Sequence, residues 1–370
     1  MSIYWNERTR ELKPYVPGEQ PKDRKFIKLN TNENPYPPSP LVIEAIQKAA
    51  NETLKLYPDP ACTILREAAA ARYGVRAGQV FAGNGSDEIL AFAFAAFFET
   101  AQSKNLILFP DITYSFYPVY ADLWNLTYGT VPLKEDFSID IRLYIDLVTR
   151  GYASGIIISN PNAPTGIALS LDELKEIAEA AEKSKRVLVV DEAYIAFADR
   201  DGIGTMLPFL SEYPNLLIIR TFSKEASLAG LRAGLAFGSE ELIEGLCRVR
   251  DSFNSYTLDR LALAGAAAAL NDPSYYEEIN QRIISTRRRV SAGLEALGFR
   301  VLPSQANFIF AAPPEKSGIR GREFFTALRE RGILVRHFDK PRIEDFMRIS
   351  IGNDDDMDTF LEECEGIVKR

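Results

Sequence analysis

Asn215-Leu216-Leu217-Ile218-Ile219-Arg220-Thr221-Phe222-Ser223-Lys224, followed by Leu228-Ala229-Gly230-Leu231-Arg232-Ala233-Gly234, is the stretch on which the reading of this chain turns. An apolar run of strand length ends abruptly in hydroxyls and one lysine, with an arginine eight positions later. An α/β enzyme would present an amine beside an anion-binding pocket in this way.

Working outward, similar runs occur at 106–109, 155–159, 186–190, 216–219 and 234–237, separated by helical patterns. Buried strands alternating with helices predict a mainly parallel sheet with right-handed crossovers, and chemistry collects at the strands' carboxyl ends. The segment 30–40, Asn-Thr-Asn-Glu-Asn-Pro-Tyr-Pro-Pro-Ser-Pro, is too rich in proline for regular helix or a central strand. It predicts an extended arm lying over the body of its own or a partner subunit. Helical patterns at 258–270 and 273–297 lead into shorter strand-like pieces at 307–311, 333–336 and 346–351, with a helix at 321–331. The expected organisation is an N-terminal arm (1–40), a large α/β domain (41–255) and a smaller α+β domain (256–370).

At 370 residues the chain can bury a large core, and 46% apolar with 25% charged residues is the balance of an ordinary globular protein. A formal charge of -8 argues against nucleic acid as a partner. Arg287-Arg288-Arg289, the one basic block, reads as a solvated helix face. The start of the chain lacks a basic segment followed by an apolar stretch, and the longest apolar runs, 89–98 and 261–270, are too short for a membrane span. Three cysteines, Cys62, Cys247 and Cys364, lie far apart and in no metal spacing, which predicts small buried side chains in a reducing cytoplasm. With His337 the single histidine, a multi-histidine metal site is excluded, and no metal is expected.

Four further clusters sit at predicted strand ends or helix starts. Gly83-Asn84-Gly85-Ser86-Asp87-Glu88 precedes an apolar helix, so its amides can hold an anion; a plain capped turn would read the same. Ser159-Asn160-Pro161-Asn162-Ala163-Pro164-Thr165-Gly166 is an open loop with asparagines for a ligand, or a turn launching the helix whose capping box is Ser170 and Glu173. Asp191 ends a buried strand, where an acid is costly unless a positive or donating group such as a protonated pyridine nitrogen meets it. Tyr194 comes three residues later. Lys224 would serve an aldehyde cofactor as its Schiff-base amine, with Arg232 sharing a doubly charged phosphate. Together these suit pyridoxal phosphate (PLP).

On these residues, and on Tyr57-Pro58-Asp59, Ala306-Asn307-Phe308 and Arg348-Ile349-Ser350-Ile351-Gly352, the chain resembles the fold-type I PLP-dependent aminotransferases. Within them it is most similar to the histidinol-phosphate aminotransferases. The resemblance implies an α/β fold with a mainly parallel, seven-stranded-type sheet flanked by helices, plus a smaller α+β domain. It implies that Lys224 holds PLP as an imine, Asp191 keeps the ring nitrogen protonated, Tyr194 donates to the phenolate oxygen and Tyr114 stacks on the ring. Gly85, Ser86, Asp87, Ser223 and Arg232 would hold the phosphate, joined by Tyr57 of a second subunit in a homodimer. The family's asparagine directly before Pro-Thr-Gly is Ala163 here, so Asn162 is expected to take its place, and Glu225-Ala226-Ser227 departs from the usual residues after the lysine. Arg336 and Arg348 are the substrate candidates because forked donors suit carboxylate and phosphate alike. Tyr15, Asn32 and Glu33 resemble positions that close over the substrate, and would equally serve to dock the arm.

The implied activity is transamination between L-histidinol phosphate and 2-oxoglutarate. Its rivals within the fold are a threonine-phosphate decarboxylase and an aromatic-amino-acid aminotransferase. An NAD-dependent dehydrogenase is the reading from another class, but Glu88 stands where its fingerprint needs a third glycine. A non-catalytic sensor on the same fold would need an output module, for which 370 residues leave no room.

Overall fold

The computed structural model of the protein describes residues 3–21, 24–99 and 105–369. Its centre is a seven-stranded sheet of β2 (Val80–Gly83), β3 (Leu106–Pro110), β4 (Tyr128–Val131), β5 (Ala153–Ser159), β6 (Val187–Asp191), β7 (Leu216–Thr221) and β8 (Gly234–Phe237). The spatial order is β2-β8-β7-β6-β5-β3-β4, with β8 antiparallel to both neighbours and the rest parallel. β5 and β7 are buried at every position, as strands covered on both faces must be. β7 runs two residues beyond the apolar stretch 216–219, because Arg220 and Thr221 are polar yet continue the ladder. β2 and β4 have no counterpart among the sequence-predicted strands; both are short edge strands with weak patterns.

Helices α2 (Pro40–Ala49), α3 (Thr63–Tyr73), α4 (Gly85–Phe97), α5 (Tyr117–Trp124), α6 (Ile141–Thr149), α7 (Leu171–Lys183) and α8 (Glu240–Phe253) come after the short α1 (Glu7–Glu11) and surround the sheet. Ser170 and Glu173 do form the reciprocal capping box of α7. α9 (Arg260–Leu270), just past the boundary expected at 255, packs against α2 and α3. Ala262, Leu263, Ala266 and Ala269 join the core against the sheet. Small residues permit this approach: a Cβ at Gly265 would stand 2.8 Å from Leu231 and 3.0 Å from Ile46.

The second unit holds the long α10 (Pro273–Ala296), α11 (Gly321–Glu330) and α12 (Asp354–Val368) around an antiparallel sheet in the order β12-β13-β10-β9. Its strands are β9 (Arg300–Val301), β10 (Phe308–Ala312), β12 (Arg336–His337) and β13 (Met347–Ser350), with β11 (Ile333–Leu334) apart. The arm docks here: β1 (Ile27–Lys28) pairs in parallel with β11, and the Ser350 amide donates to the Leu29 carbonyl. Within α10, Arg287 is not solvated as expected. It is 3% exposed, donates to the carbonyls of Phe197 and Ala306, and meets Asp199 at 2.8 Å, so buried acceptors claim it. Only Arg288 and Arg289 conform to the solvated reading.

Candidate active site

β5, β6 and β7 all deliver their carboxyl ends to one cavity of about 190 Å³. Its lining includes Ser159 from β5, Asp191 from β6, Thr221, Ser223 and Lys224 from β7 and its turn, and Ser86 and Asp87 from the start of α4. Thr31 and Glu33 of the arm, Tyr114, Ala163, Tyr194 and Arg232 complete most of the wall. The parallel register explains the meeting: Ser159 pairs with Asp191, and Asp191 with Ile219, so β5 and β6 end at one level and β7 two residues beyond it.

Lys224 Nζ donates to the Thr31 carbonyl at 3.1 Å. Burial, aided by nearby Arg348 and opposed by Glu33 and Asp87, lowers its pKa to about 8. The amine is therefore available as a nucleophile far below the usual lysine range. Asp191 is 4% exposed; burial raises its pKa to about 6 against hydrogen bonds from the Tyr117 hydroxyl (2.9 Å) and the Ala193 amide (3.2 Å). A cationic partner inside the cavity would restore the carboxylate. Neighbouring Glu192 points away, bound by Thr205 Oγ1 and the Met206 amide, and burial lifts it to about 7.

Farther along the sheet-side wall, Arg232 donates to Ser223 Oγ at 3.3 Å and to Asp87 Oδ2 at 3.0 Å. Asp87 also accepts from the hydroxyls of Tyr114 (2.8 Å) and Tyr120 (3.3 Å). Gly85 begins α4 at φ +76°, and a Cβ there would stand 2.6 Å from Arg232. Glycine thus keeps a cradle open between helix amides and a guanidinium, which is the chemistry of a phosphate site.

The expected residues Asn162, Asn32, Tyr15, Arg348, Arg336 and Tyr57 are not among those that line this cavity. Asn162 is 1% exposed and spent elsewhere: it accepts from Thr113 Oγ1 at 2.8 Å and donates to the Ile112 carbonyl at 2.9 Å. The buried polar groups of the 112–113 turn claim its amide, and Ala163 faces the cavity instead. Asn32 is likewise buried, donating to Tyr194 Oη at 3.0 Å, so it reaches the site only through that tyrosine. Tyr15 stacks on Phe116 at 4.3 Å, beside Tyr114. Arg348 donates to the Asn30 carbonyl and leaves a buried Nε without a partner, whereas Arg336 is held at the surface by the carbonyls of Val16 and Pro17. Tyr57 is 77% exposed and stacks on Tyr256. Sequence reading misses Tyr117, which carries no motif of its own, and gives no role to Thr31 and Ser350, although they lie in the quoted stretches 30–40 and 348–352.

Residues 24–363 match the family described as "Aminotransferase class I and II". The chain belongs to that aminotransferase family. Among its relatives, the histidinol-phosphate aminotransferase of Clostridium acetobutylicum is 52% identical over 368 residues, covering 100% of both chains. That of Clostridium beijerinckii is 52% identical over 369 residues, covering 100% of this chain and 98% of its own. The crystal structure of the Sinorhizobium meliloti histidinol-phosphate aminotransferase, in complex with pyridoxal-5'-phosphate, superposes with a TM-score of 0.88 at 26% identity. It covers 100% of this chain and 98% of that one. The aminotransferase fold persists at 19% identity in aspartate aminotransferase from Thermus thermophilus, with a TM-score of 0.81 over 98% of this chain and 99% of that one.

Proposed function

We propose that the protein is a PLP-dependent transaminase acting on L-histidinol phosphate and 2-oxoglutarate, with imidazole-acetol phosphate and L-glutamate as products, in histidine biosynthesis. The observation that carries the reading is the convergence of the Lys224 amine, Asp191 and the Arg232–Gly85 cradle on one cavity. The 52% identity to full-length relatives so named supports the substrate pair.

The residues fit the cofactor: an amine freed by burial for its aldehyde, a buried acid for its ring nitrogen and an anion cradle for its phosphate. PLP, when bound, supplies an aldehyde and an electron-accepting ring. Lys224 Nζ would hold the group and, when free of it, would take the proton from the substrate Cα and return one. Asp191, oriented by Tyr117 and the Ala193 amide, keeps a proton on the ring nitrogen. Tyr194 donates to the ring oxygen and Tyr114 covers the ring. Ser223, Arg232 and the amides of Gly85, Ser86 and Asp87 bind the phosphate. Arg348 and Arg336 meet the anionic ends of the two substrates in turn, with Tyr15 and Glu33 closing over them. In this reading Asn162 has no contact with the group and serves the loop alone.

A second copy of the chain is part of the proposal. Leu54, Leu56, Tyr57, Ile64, Phe253 and Tyr256 are all exposed large apolar side chains, and Arg260 donates to the Tyr57 carbonyl at 2.6 Å, fixing that segment. Such a patch suits a homodimer in which Tyr57 reaches the other subunit's phosphate. Cys62, Cys247 and Cys364 are free, which suits a cytoplasmic enzyme. Among the described residues no helix is long and apolar enough to cross a membrane.

The test is a panel of amino donors with 2-oxoglutarate: histidinol phosphate, threonine phosphate and phenylalanine. Stoichiometric glutamate with histidinol phosphate as the preferred donor is expected. Carbon dioxide released from threonine phosphate, without glutamate, would overturn the assignment.

A further inference from the structure

Tyr194 lines the cavity, and the hydrogen bonds around its hydroxyl decide which way its proton points. Asn32 Nδ2 donates to Tyr194 Oη at 3.0 Å. Ser350 Oγ accepts from the Asn32 backbone amide at 2.8 Å and donates to Asn32 Oδ1 at 3.1 Å. The opposite orientation of the Asn32 side chain would aim both of its donors at Ser350 Oγ and leave that hydroxyl's proton without an acceptor. Ser350 is 2% exposed, so water does not compensate, and the first orientation is the one in which every group is satisfied.

The consequence falls on Tyr194. Its oxygen receives Asn32, so its own proton must be given elsewhere. Ala163, at 3% exposure in the same cluster as Tyr194, offers nothing polar. What remains is the cavity, where Lys224 and Asp191 stand. Asn32 is itself tightly held: its backbone is left-handed at φ 55°, its carbonyl accepts from Asn307 Nδ2 at 3.1 Å, and its neighbour Thr31 accepts from Lys224. Burial raises the Tyr194 pKa, while Arg348 and the Asn32 hydrogen bond pull it back.

The geometry points to Asn32, locked by Ser350 of the second unit, as a positioning residue that forces the Tyr194 hydroxyl to donate into the cavity, toward the cofactor's ring oxygen. This rests on the role given to Tyr194 above and adds what enforces it. Where Ala163 supplies no donor, the Ser350–Asn32–Tyr194 chain sets the basicity of that oxygen. It also makes this setting depend on the arm being docked against β13.

The readout is the pH midpoint of the visible colour change of the PLP-loaded protein, compared among wild type, Tyr194→Phe, Asn32→Asp and the double variant. Loss of the donated proton leaves the ring oxygen more basic and raises the midpoint. Tyr194→Phe is expected to raise it by about one unit, a tenfold change in proton affinity. Asn32→Asp keeps the shape but turns the donor into an acceptor that captures the tyrosine proton, so at least about half of that rise is expected. In the Tyr194→Phe background the Asn32→Asp effect should vanish, because it acts through the hydroxyl. An unchanged midpoint in Asn32→Asp, or an equal shift in both backgrounds, overturns the proposal while leaving the role of Tyr194 intact. An unchanged midpoint in Tyr194→Phe overturns both. Should Asn32→Asp fail to fold or to take up PLP, Ser350→Ala replaces it: a smaller rise that disappears in the Tyr194→Phe background supports the proposal, and no rise overturns it.

Discussion

The two walls of the cavity are built differently. The wall at the large sheet consists of residues that β5, β6 and β7 end on, fixed by ladder hydrogen bonds and by a side-chain web of Asp191 with Tyr117 and Arg232 with Ser223 and Asp87. The facing wall comes from the arm and the second unit, joined across more than 300 residues of sequence by Asn32–Ser350, Arg348–Asn30 and Arg336–Val16. Preorganised polarity belongs to the sheet side, where chemistry needs groups that do not move. The arm side is bound through carbonyls that hold the partly buried guanidinium groups of Arg348 and Arg336, contacts that can be exchanged for substrate anions. By this contrast, substitutions on the first wall abolish turnover and those on the second chiefly weaken substrate binding.

The largest expected effect tests the first half of that statement. Lys224→Ala should lower kcat on the order of 10² to 10⁴-fold or more and remove the visible band of bound PLP, because proton transfer and covalent attachment are lost together. Retained colour and turnover would place the chemistry elsewhere. Next comes Asp191→Asn, expected to reduce kcat by roughly 10² to 10³-fold while Lys224 still captures the cofactor, since one preorganised charge is removed from a buried site. A variant that lost cofactor capture instead would make Asp191 a binding group.

On the second wall the expected sign is different. Arg348→Lys should raise KM roughly 10 to 100-fold with a smaller change in kcat, as expected for roughly 1.5–3 kcal/mol from a charged hydrogen bond. Arg336→Lys should cost less, because this guanidinium is at the surface and screened. A kcat loss from Arg348→Lys as large as that from Asp191→Asn would erase the distinction between the walls.

The smallest effect concerns pH. Burial lowers the Lys224 pKa to about 8, so the amine is protonated below and neutral above that value. Capture of PLP by the cofactor-free protein should therefore accelerate about tenfold per unit as pH rises toward 8 and level off above it. Stopped-flow absorbance measures this directly. A rate that kept climbing to pH 10 would mean that the amine is hydrated as in a free lysine and that the first wall is not preorganised.

Legibility in the sequence divides along the same line. The strands at 155–159, 186–190 and 216–219 are nearly all apolar, Asp191 and Lys224 lie at strand ends or a few residues beyond and Arg232 just before β8, so sheet, switch from strand to loop and cavity wall can be read together. Asn162 could not be placed, because adjacent residues of an irregular loop face opposite ways and only its bonds to Thr113 and Ile112 decide which. Arg287 misleads because a periodic pattern cannot reveal that Asp199, Phe197 and Ala306 will wait inside for a charge. Ser350 lies in the Arg348–Gly352 stretch that carries the resemblance, yet its role could not be read there, because it arises from standing beside Asn32.

The sequence by itself determined the alternation of buried strands and helices, and with it the lysine and acid that parallel strands must bring to one edge. Those features are local, set by apolar runs and by the polar residues at which the runs stop. The tertiary structure alone decided that Asn162 turns to Thr113 while Asn32 meets Tyr194, which arginine is buried, and that a hydroxyl on β13 bonds the asparagine behind that tyrosine. Hydrogen-bond direction depends on partners hundreds of residues away, and no local pattern encodes it.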